Sequence, residues 1–323
     1  METQRAVLVL TGADDPTAGA VVAELDRRGV PVTVMDTGDF PTRIRLAAHH
    51  DRSVWRGRLD TLDGAGIALE QITAIYYWRP TRFRMPAGIS DADAALATVE
   101  ARYGLGGALA SVDALWVNDP MKIAVAEYKP LQLRVAADVG LAVPRTLISN
   151  DHRAAARFAA EIGGPVVCKT LSSVVLAEDG VPRITYTTLV DVARIDPAQF
   201  AVTTHLLQEW VPKRYDARVT MVGDHPFAVA IEAGSALARV DWRADYANVS
   251  YRTITPPDEV VAGMRRYLDH FGLRFGAFDF VVSETGWVAL ECNPSGEWLW
   301  LAKATGLPML SALVDLLAGE GNS

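Results

Sequence analysis

Residues 275–300, FGAFDFVVSETGWVALECNPSGEWLW, set the tightest limit on how this chain can fold. Two apolar runs flank Glu284-Thr285-Gly286, so the stretch reads as two antiparallel strands, then a Pro-Ser-Gly corner and an aromatic segment. Each run carries an acid, Asp279 on the first and Glu291 on the second. An ionised carboxylate among apolar neighbours needs a partner. Side chains alternate along a strand, so Glu291 and Asn293 share one face and Cys292 takes the other. The hairpin brings Asp279 alongside, and three oxygen ligands converge on one point. That set suits Mg2+, which takes one or two carboxylates and completes its shell with water and phosphate oxygens. The bland alternative is a polar strand edge.

The rest of the chain must supply a core around this hairpin. Its 323 residues are 50% hydrophobic, enough for a multi-lobed globular protein. Lysine and arginine total 31 against 39 acids, a net charge of -8, which argues against a general nucleic-acid or anionic-membrane surface. Two cysteines, Cys168 and Cys292, suit a reducing compartment and read as core fillers. The first residues hold only a short apolar run, and no stretch approaches a membrane span, so a soluble, cytoplasmic protein is expected.

In order, 6–10 is a buried parallel strand, 17–28 a helix stopped by Gly29, and 32–35 a second strand. This is the opening of an open α/β layer. The loop TGADDPTAG lacks the G-x-G-x-x-G dinucleotide pattern. Short alternating strands follow over 44–59, then a strand at 74–78, a helix at 91–109 and a strand at 115–117. The segment YYWRPTRFRMP carries Arg79, Arg82 and Arg84, read on residue chemistry as a strand end with solvated arginines. Asn118-Asp119-Pro120 marks a domain boundary. A helix over 127–139 holds Lys129 in its first turns. A strand near 143–146, a helix over 154–162 and the buried run PVVCKTL with Lys169 follow; a lysine there needs an anion, either a structural carboxylate or a phosphate. RITYTTLV reads as a further strand. Then come a strand ending in Gln208-Glu209-Trp210-Val211, and a hairpin around Gly223-Asp224 whose first strand carries Asp216 and Arg218 on one face. Arg243 lies in a W-R segment, 258–271 is an amphipathic helix, and 307–317 an apolar closing helix. The domains are 1–118, an open α/β layer; 119–205, a small α+β lobe; and 206–323, the lobe holding the hairpin.

As an ordered series, two lysines, Q-E-W-V, D-x-R, W-R, D and then E-x-N twelve residues later resemble an ATP-grasp carboxylate-amine or carboxylate-hydroxyl ligase from about residue 118 onward. LECNPSGEWLWLAKATGLP, with its Asn-Pro-x-Gly step and Trp-x-Trp, resembles the microviridin-type ribosomal-peptide maturases, or graspetide synthetases, as does YYWRP. The resemblance implies an ATP-grasp fold with an N-terminal pre-ATP-grasp domain, a central lobe and a C-terminal catalytic lobe. It implies ATP and Mg2+ as cofactors. Lys129 and Lys169 would hold phosphates, Gln208, Glu209, Trp210 and Val211 would form the hinge beside adenine, and Asp216 would lie on the ribose or phosphate side. Arg218 and Arg243, with Lys169, would act catalytically on the transferred phosphoryl and acyl phosphate, and Asp279, Glu291 and Asn293 would bind the metal. It also gives Arg79, Arg82 and Arg84 a second reading, a cationic rim for an acidic peptide. Three positions depart from the pattern: SSVV after Lys169 is not glycine-rich, Asp245 replaces the Asn of glutamate-ligase relatives, and Glu297 replaces the usual Gln. The last two bear on substrate choice.

The implied activity is ATP-dependent closure of rings in a ribosomal precursor peptide, leader plus core, joining an Asp or Glu side chain to a Ser/Thr hydroxyl or a Lys amine. The alternatives are an ATP-grasp ligase of free amino acids or short peptides, and a catalytically silent peptide scaffold. A homodimer is compatible with the sequence but not read from it.

Overall fold

The computed structural model describes residues 5–172, 176–178, 181–183 and 185–320. The N-terminal layer is a parallel sheet in the order Val32–Met35, Ala6–Thr11, Ile72–Trp78, Leu115–Val117. Its apolar runs are continuous because both faces are covered. Val7 and Val9 face helix Pro16–Arg27, while Leu8 and Leu10 face helix Asp91–Ala110 and a three-stranded antiparallel insert, Ile44–Asp51, Val54–Thr61 and Gly66–Ala68. Asp15 starts helix Pro16–Arg27 by accepting from the Thr17 and Ala18 amides at 2.9 and 2.8 Å.

The central lobe is an antiparallel sheet ordered Thr188–Val190, Val166–Lys169, His205–Glu209, Thr146–Ser149, backed by helices His152–Ile162 and Pro197–Phe200. The third unit is a five-stranded antiparallel sheet, Val249–Ile254, His225–Ala233, Tyr215–Val222, Phe275–Ser283, Gly286–Asn293. Helices Asp258–Phe271 and Lys129–Asp138 bury one of its faces. The two sheets face each other across a cleft.

Several sequence expectations need correction. The helix expected over 127–139 is Lys129–Asp138, and a separate helix, Pro120–Ala126, precedes it where only a boundary turn was expected. Asp119 caps the earlier helix, accepting from the Met121 amide at 2.8 Å, and Pro130, which lacks an N–H, fits only in the first turn of the later one. The closing helix expected over 307–317 is present as Met309–Ala318, and a further helix, Leu299–Thr305, precedes it, parted from it at Gly306 and Pro308. The strand expected over 183–190 is divided between Val181–Arg183, paired with Leu176–Glu178, and Thr188–Val190. Of the SSVV loop after Lys169, residues 173–175 lie outside the described residues. Strand Val249–Ile254 was not foreseen. Cys292 is a buried core thiol as read, whereas Cys168 is only half-buried. Among the described residues no helix is long and apolar enough to cross a membrane.

The closing helices do not pack only on their own sheet. Trp298, Leu301, Met309, Leu313 and Leu317 share one core with Val7, Val21, Leu25 and Tyr76 of the N-terminal layer. Asn118 completes the seam. Its Nδ2 donates to the Phe275 and Pro294 carbonyls, both at 2.8 Å, and its Oδ1 accepts from the Arg274 and Phe275 amides at 2.8 and 3.1 Å. Every hydrogen-bonding position of this buried amide is therefore used.

Candidate active site

The hairpin places Asp279 directly opposite Glu291, and the register slips just after this pair, so that Phe280 faces Ala289 and Leu290 is the extra residue of a bulge. In a regular strand Leu290 and Glu291 would face opposite ways; here both line the cleft. Asn293 lies on the same side, its Nδ2 donating to Asp279 Oδ2 at 3.3 Å, while Cys292 points into the core. Two carboxylates and one amide thus come together. Among the described residues no cluster of three or more His, Cys, Asp or Glu accompanies them. The donor set fits Mg2+, whose remaining positions are normally filled by water and phosphate oxygens.

Each acid is matched by a cation. Lys129 Nζ bonds Glu291 Oε2, and Arg218 Nη1 donates to Asp279 Oδ2 at 2.6 Å. Burial alone would raise the Glu291 carboxyl, but Lys129, Lys169 and Arg243 outweigh it and hold it well below the usual carboxylate range. Lys169 enters from the central sheet; burial pushes its ammonium down and Glu291 counters. The Arg218 Nε is buried and finds no acceptor among the described residues. A buried, unpaired cationic donor beside two acids is suited to a phosphate or acyl-phosphate oxygen. Arg243 forms a fork with Asp241, at 2.9 Å from Nε and 2.7 Å from Nη2. Burial lowers the guanidinium's affinity for its proton, yet Asp241, Glu291 and Asp279 more than compensate, so it stays charged.

Gln208, Glu209, Trp210 and Val211 line the cleft. The Gln208 side chain, however, donates to Thr146 Oγ1 at 2.9 Å, Glu209 Oε1 accepts from the Arg145 amide at 2.9 Å, and the Trp210 amide donates to the Pro165 carbonyl at 2.9 Å. These groups hold the central sheet together. Asp216 lines the same cleft, with Lys213 Nζ on both its oxygens at 2.8 and 2.7 Å.

The substrate rim divides. Arg79 and Glu297 meet in an ion pair with each other, and Arg79 Nη2 donates to the Ser295 carbonyl at 3.0 Å. Arg84 bonds Asp39 at 2.5 Å and the Gly38 carbonyl at 3.2 Å, so its charge is spent within the N-terminal layer, and Arg82 is exposed. Asp245 accepts from Ser235 at 2.6 Å and from Asn248, a local turn contact.

Four contributors escaped the sequence reading. Lys213 and Asp241 line the cleft as partners of Asp216 and Arg243; the spacings K-x-x-D and D-x-R carry them. Gln132, one turn beyond Lys129, brackets Cys292, donating to its carbonyl at 2.9 Å and accepting from its amide at 3.1 Å. It occupies the edge of the hairpin as a strand would and sets Lys129 over Glu291. Gly296 lies against Arg218: a Cβ there would meet Arg218 Nη2 at 2.6 Å and the Ala277 Cβ at 2.7 Å. The Trp-x-Trp also separates. Trp298 is buried in the seam, while Trp300 packs against Trp242, Tyr246 and Tyr251 beside Arg243.

Two sheets closing on a cleft of lysines, arginines and facing acids define an ATP-grasp protein. Residues 6–124 match the model of the MvdD pre-ATP grasp domain. The fold is shared with a RiPP-associated ATP-grasp ligase of Chryseobacterium gregarium, solved with ADP and a leader and core peptide, at 24% identity and a TM-score of 0.90, covering 99% of this chain and 98% of that one. It is likewise similar to the macrocyclase MdnC of Microcystis aeruginosa, solved with the precursor peptide MdnA, at 26% identity and a TM-score of 0.83, covering 98% and 100%. A probable alpha-L-glutamate ligase of Mannheimia succiniciproducens is 22% identical over 210 residues, 62% of this chain and 66% of that protein, just under two thirds of its length. The chain therefore shares its fold with RiPP-associated ATP-grasp ligases.

Proposed function

We infer that the chain is an ATP-dependent peptide macrocyclase. One observation carries the reading: Lys169, Arg218 and Arg243 converge with the facing pair Asp279 and Glu291 in one cleft of a fold shared end to end with a macrocyclase. The substrate is a ribosomal precursor peptide, its leader held by the N-terminal domain (1–118) or the central lobe (119–205), its core presented to the catalytic lobe (206–323). The cytoplasm is its place, consistent with two free cysteines.

A carboxylate is a poor electrophile because its oxygen leaves badly. In the first step a core Asp or Glu oxygen attacks the γ-phosphorus of ATP, the bond to the β-phosphate oxygen breaks, and ADP leaves an acyl phosphate. In the second a Ser/Thr hydroxyl or Lys amine attacks the acyl carbon, phosphate departs, and the nucleophile's proton passes to solvent. The products are an ω-ester or ω-amide ring, ADP and phosphate. Lys129 and Lys169 hold phosphates, and Lys169, Arg218 and Arg243 neutralise the charge that develops on the transferred group. Lys213 and Asp216 lie on the nucleoside side, next to the hinge. Asp279, Glu291 and Asn293 would hold Mg2+, which when bound offsets phosphate charge.

The test is incubation with ATP, Mg2+ and the precursor encoded beside the gene. Successive losses of water in the mass spectrum, with ADP release, are expected. Glu291→Gln should cut turnover by about 100-fold or more while circular dichroism stays native, since a metal ligand is neutralised without change of shape. Wild-type activity in that variant would return Glu291 to a structural role. The similarity to a glutamate ligase favours a second reading, joining of free amino acids; ADP release with an unchanged precursor mass would select it.

A further inference from the structure

The N-terminal layer has a reversal point. From the first strand the chain crosses by helix Pro16–Arg27 on one face to Val32–Met35, and from Ile72–Trp78 it crosses by helix Asp91–Ala110 on the other face to Leu115–Val117. In open α/β layers the crevice outside the carboxyl ends of the strands at such a point is where ligands sit. Here the strands on either side of that point, Ala6–Thr11 and Ile72–Trp78, run into Gly12 and Arg79, and a carboxylate from another lobe reaches them. Glu297 Oε1 pairs with Arg79, and Oε2 accepts from Thr17 Oγ1 at 3.0 Å in the first turn of helix Pro16–Arg27.

Arg79 is prepared for an anion. Its backbone is left-handed at φ 52°, unusual for a side-chain-bearing residue, and its guanidinium lies 5.3 Å from the Trp78 ring centre. The Arg79 side chain is 45% exposed and that of Glu297 37%, so solvent reaches the pair. Beneath the Arg79 guanidinium the Trp78 Nε1 is buried with no hydrogen-bond partner among the described residues. The crevice is also joined to the phosphoryl-transfer centre, because Arg218 Nη2 reaches the Glu297 carbonyl at 3.4 Å and Gly296 rests on the same guanidinium.

We propose that this crevice receives an acidic side chain of the peptide on its way to activation, with Glu297 as its internal stand-in and Arg79 as its receiver. The inference rests on the macrocyclase reading. One carboxylate replaces another, so charge is conserved, and a half-exposed ion pair holds its partners weakly enough to exchange. Arg218, one contact away, then meets the acid as it moves toward the nucleotide.

The experiment measures equilibrium binding of the precursor, and of a copy with each core Asp and Glu changed to Asn and Gln, to enzyme loaded with ADP and Mg2+. Glu297→Gln should bind the acidic precursor about threefold more tightly or better, and Arg79→Met about tenfold more weakly. Neither should change affinity for the amide copy or for ADP. The double variant Arg79→Glu/Glu297→Arg should regain the wild-type melting temperature yet bind the acidic precursor no better than Arg79→Met. Recovery of peptide affinity in the double variant, or equal weakening toward both peptides in Arg79→Met, would reduce the pair to a pin between lobes and overturn the proposal. Should the wild type bind the precursor without dehydrating it, the macrocyclase reading fails while the exchange is still read from affinity; should it not bind at all, both fall.

Discussion

Within one cleft, two carboxylates are driven in opposite directions. Burial pushes Asp216 up to about 6, against the pull of Lys213, with Asp279 and Asp241 adding to the rise. Glu291 is buried too, but its three cations win. The consequences for stability have opposite signs. The folded state holds a proton on Asp216 more tightly than the unfolded chain, whose value is near 3.8, so this contribution is full below that value and is lost as pH rises through about 6. The contribution of Glu291 is present above its unfolded value of 4.5 and is lost as pH falls below it. Asp216→Asn should therefore flatten the dependence of unfolding free energy on pH between about 4 and 6, by on the order of 2–3 kcal/mol across the window. Urea unfolding at stepped pH measures this, and an identical slope in wild type and variant would contradict the assignment. Glu291 was legible from the sequence as an acid in apolar surroundings, and Asp216 as the residue sharing a strand face with Arg218. The counter-ion of Asp216 was less so, because Lys213 lies in the segment between two strands, where a charged residue needs no explanation.

At the scale of elements, the corner after the hairpin does more than change direction. Gly296 has no side chain because the Arg218 guanidinium occupies that space. Gly296→Ala should cost about 1–3 kcal/mol by overpacking. It should also lower kcat by about 10-fold or more through displacement of Arg218, a loss that stabilising conditions do not rescue. Unfolding curves and steady-state kinetics on the same preparations separate the two effects; a drop in stability alone would show that Arg218 tolerates the shift. The hairpin itself was readable from alternation and its turn. The bulge at Leu290 was not, since one extra residue within an apolar run leaves no mark on its pattern. Nor was the break between Ala126 and Lys129: Pro130 favours a first helical turn, but Asp119-Pro120 reads equally as a turn or a helix start. Gln132 was missed for a related reason, because a helical glutamine bracketing a distant strand is fixed by tertiary structure alone.

Across the whole molecule, the seam between the N-terminal layer and the catalytic lobe is held by Asn118 and a shared core. Asn118→Ala would strand two carbonyls and two amides in a buried place, at a cost of roughly 3 kcal/mol or more. Chemical unfolding should show it as a lower midpoint. A shift of only a few tenths would mean that water replaces the amide. The sequence read Asn118 as a boundary marker, which it is along the chain, but it could not reveal that the boundary residue is also the clasp.

That arrangement bears on how relatives could be recombined. A crossover at residue 118 looks natural, since a separate domain model ends close by at 124. Yet the first segment shares its core with Trp298, Leu301, Met309, Leu313 and Leu317 and pairs its Arg79 with Glu297. The unit that travels intact is discontinuous, the N-terminal layer together with the chain from the Pro294 corner onward. Chimaeras made with one crossover would inherit a mismatched seam, whereas exchange of both pieces would carry the joint whole.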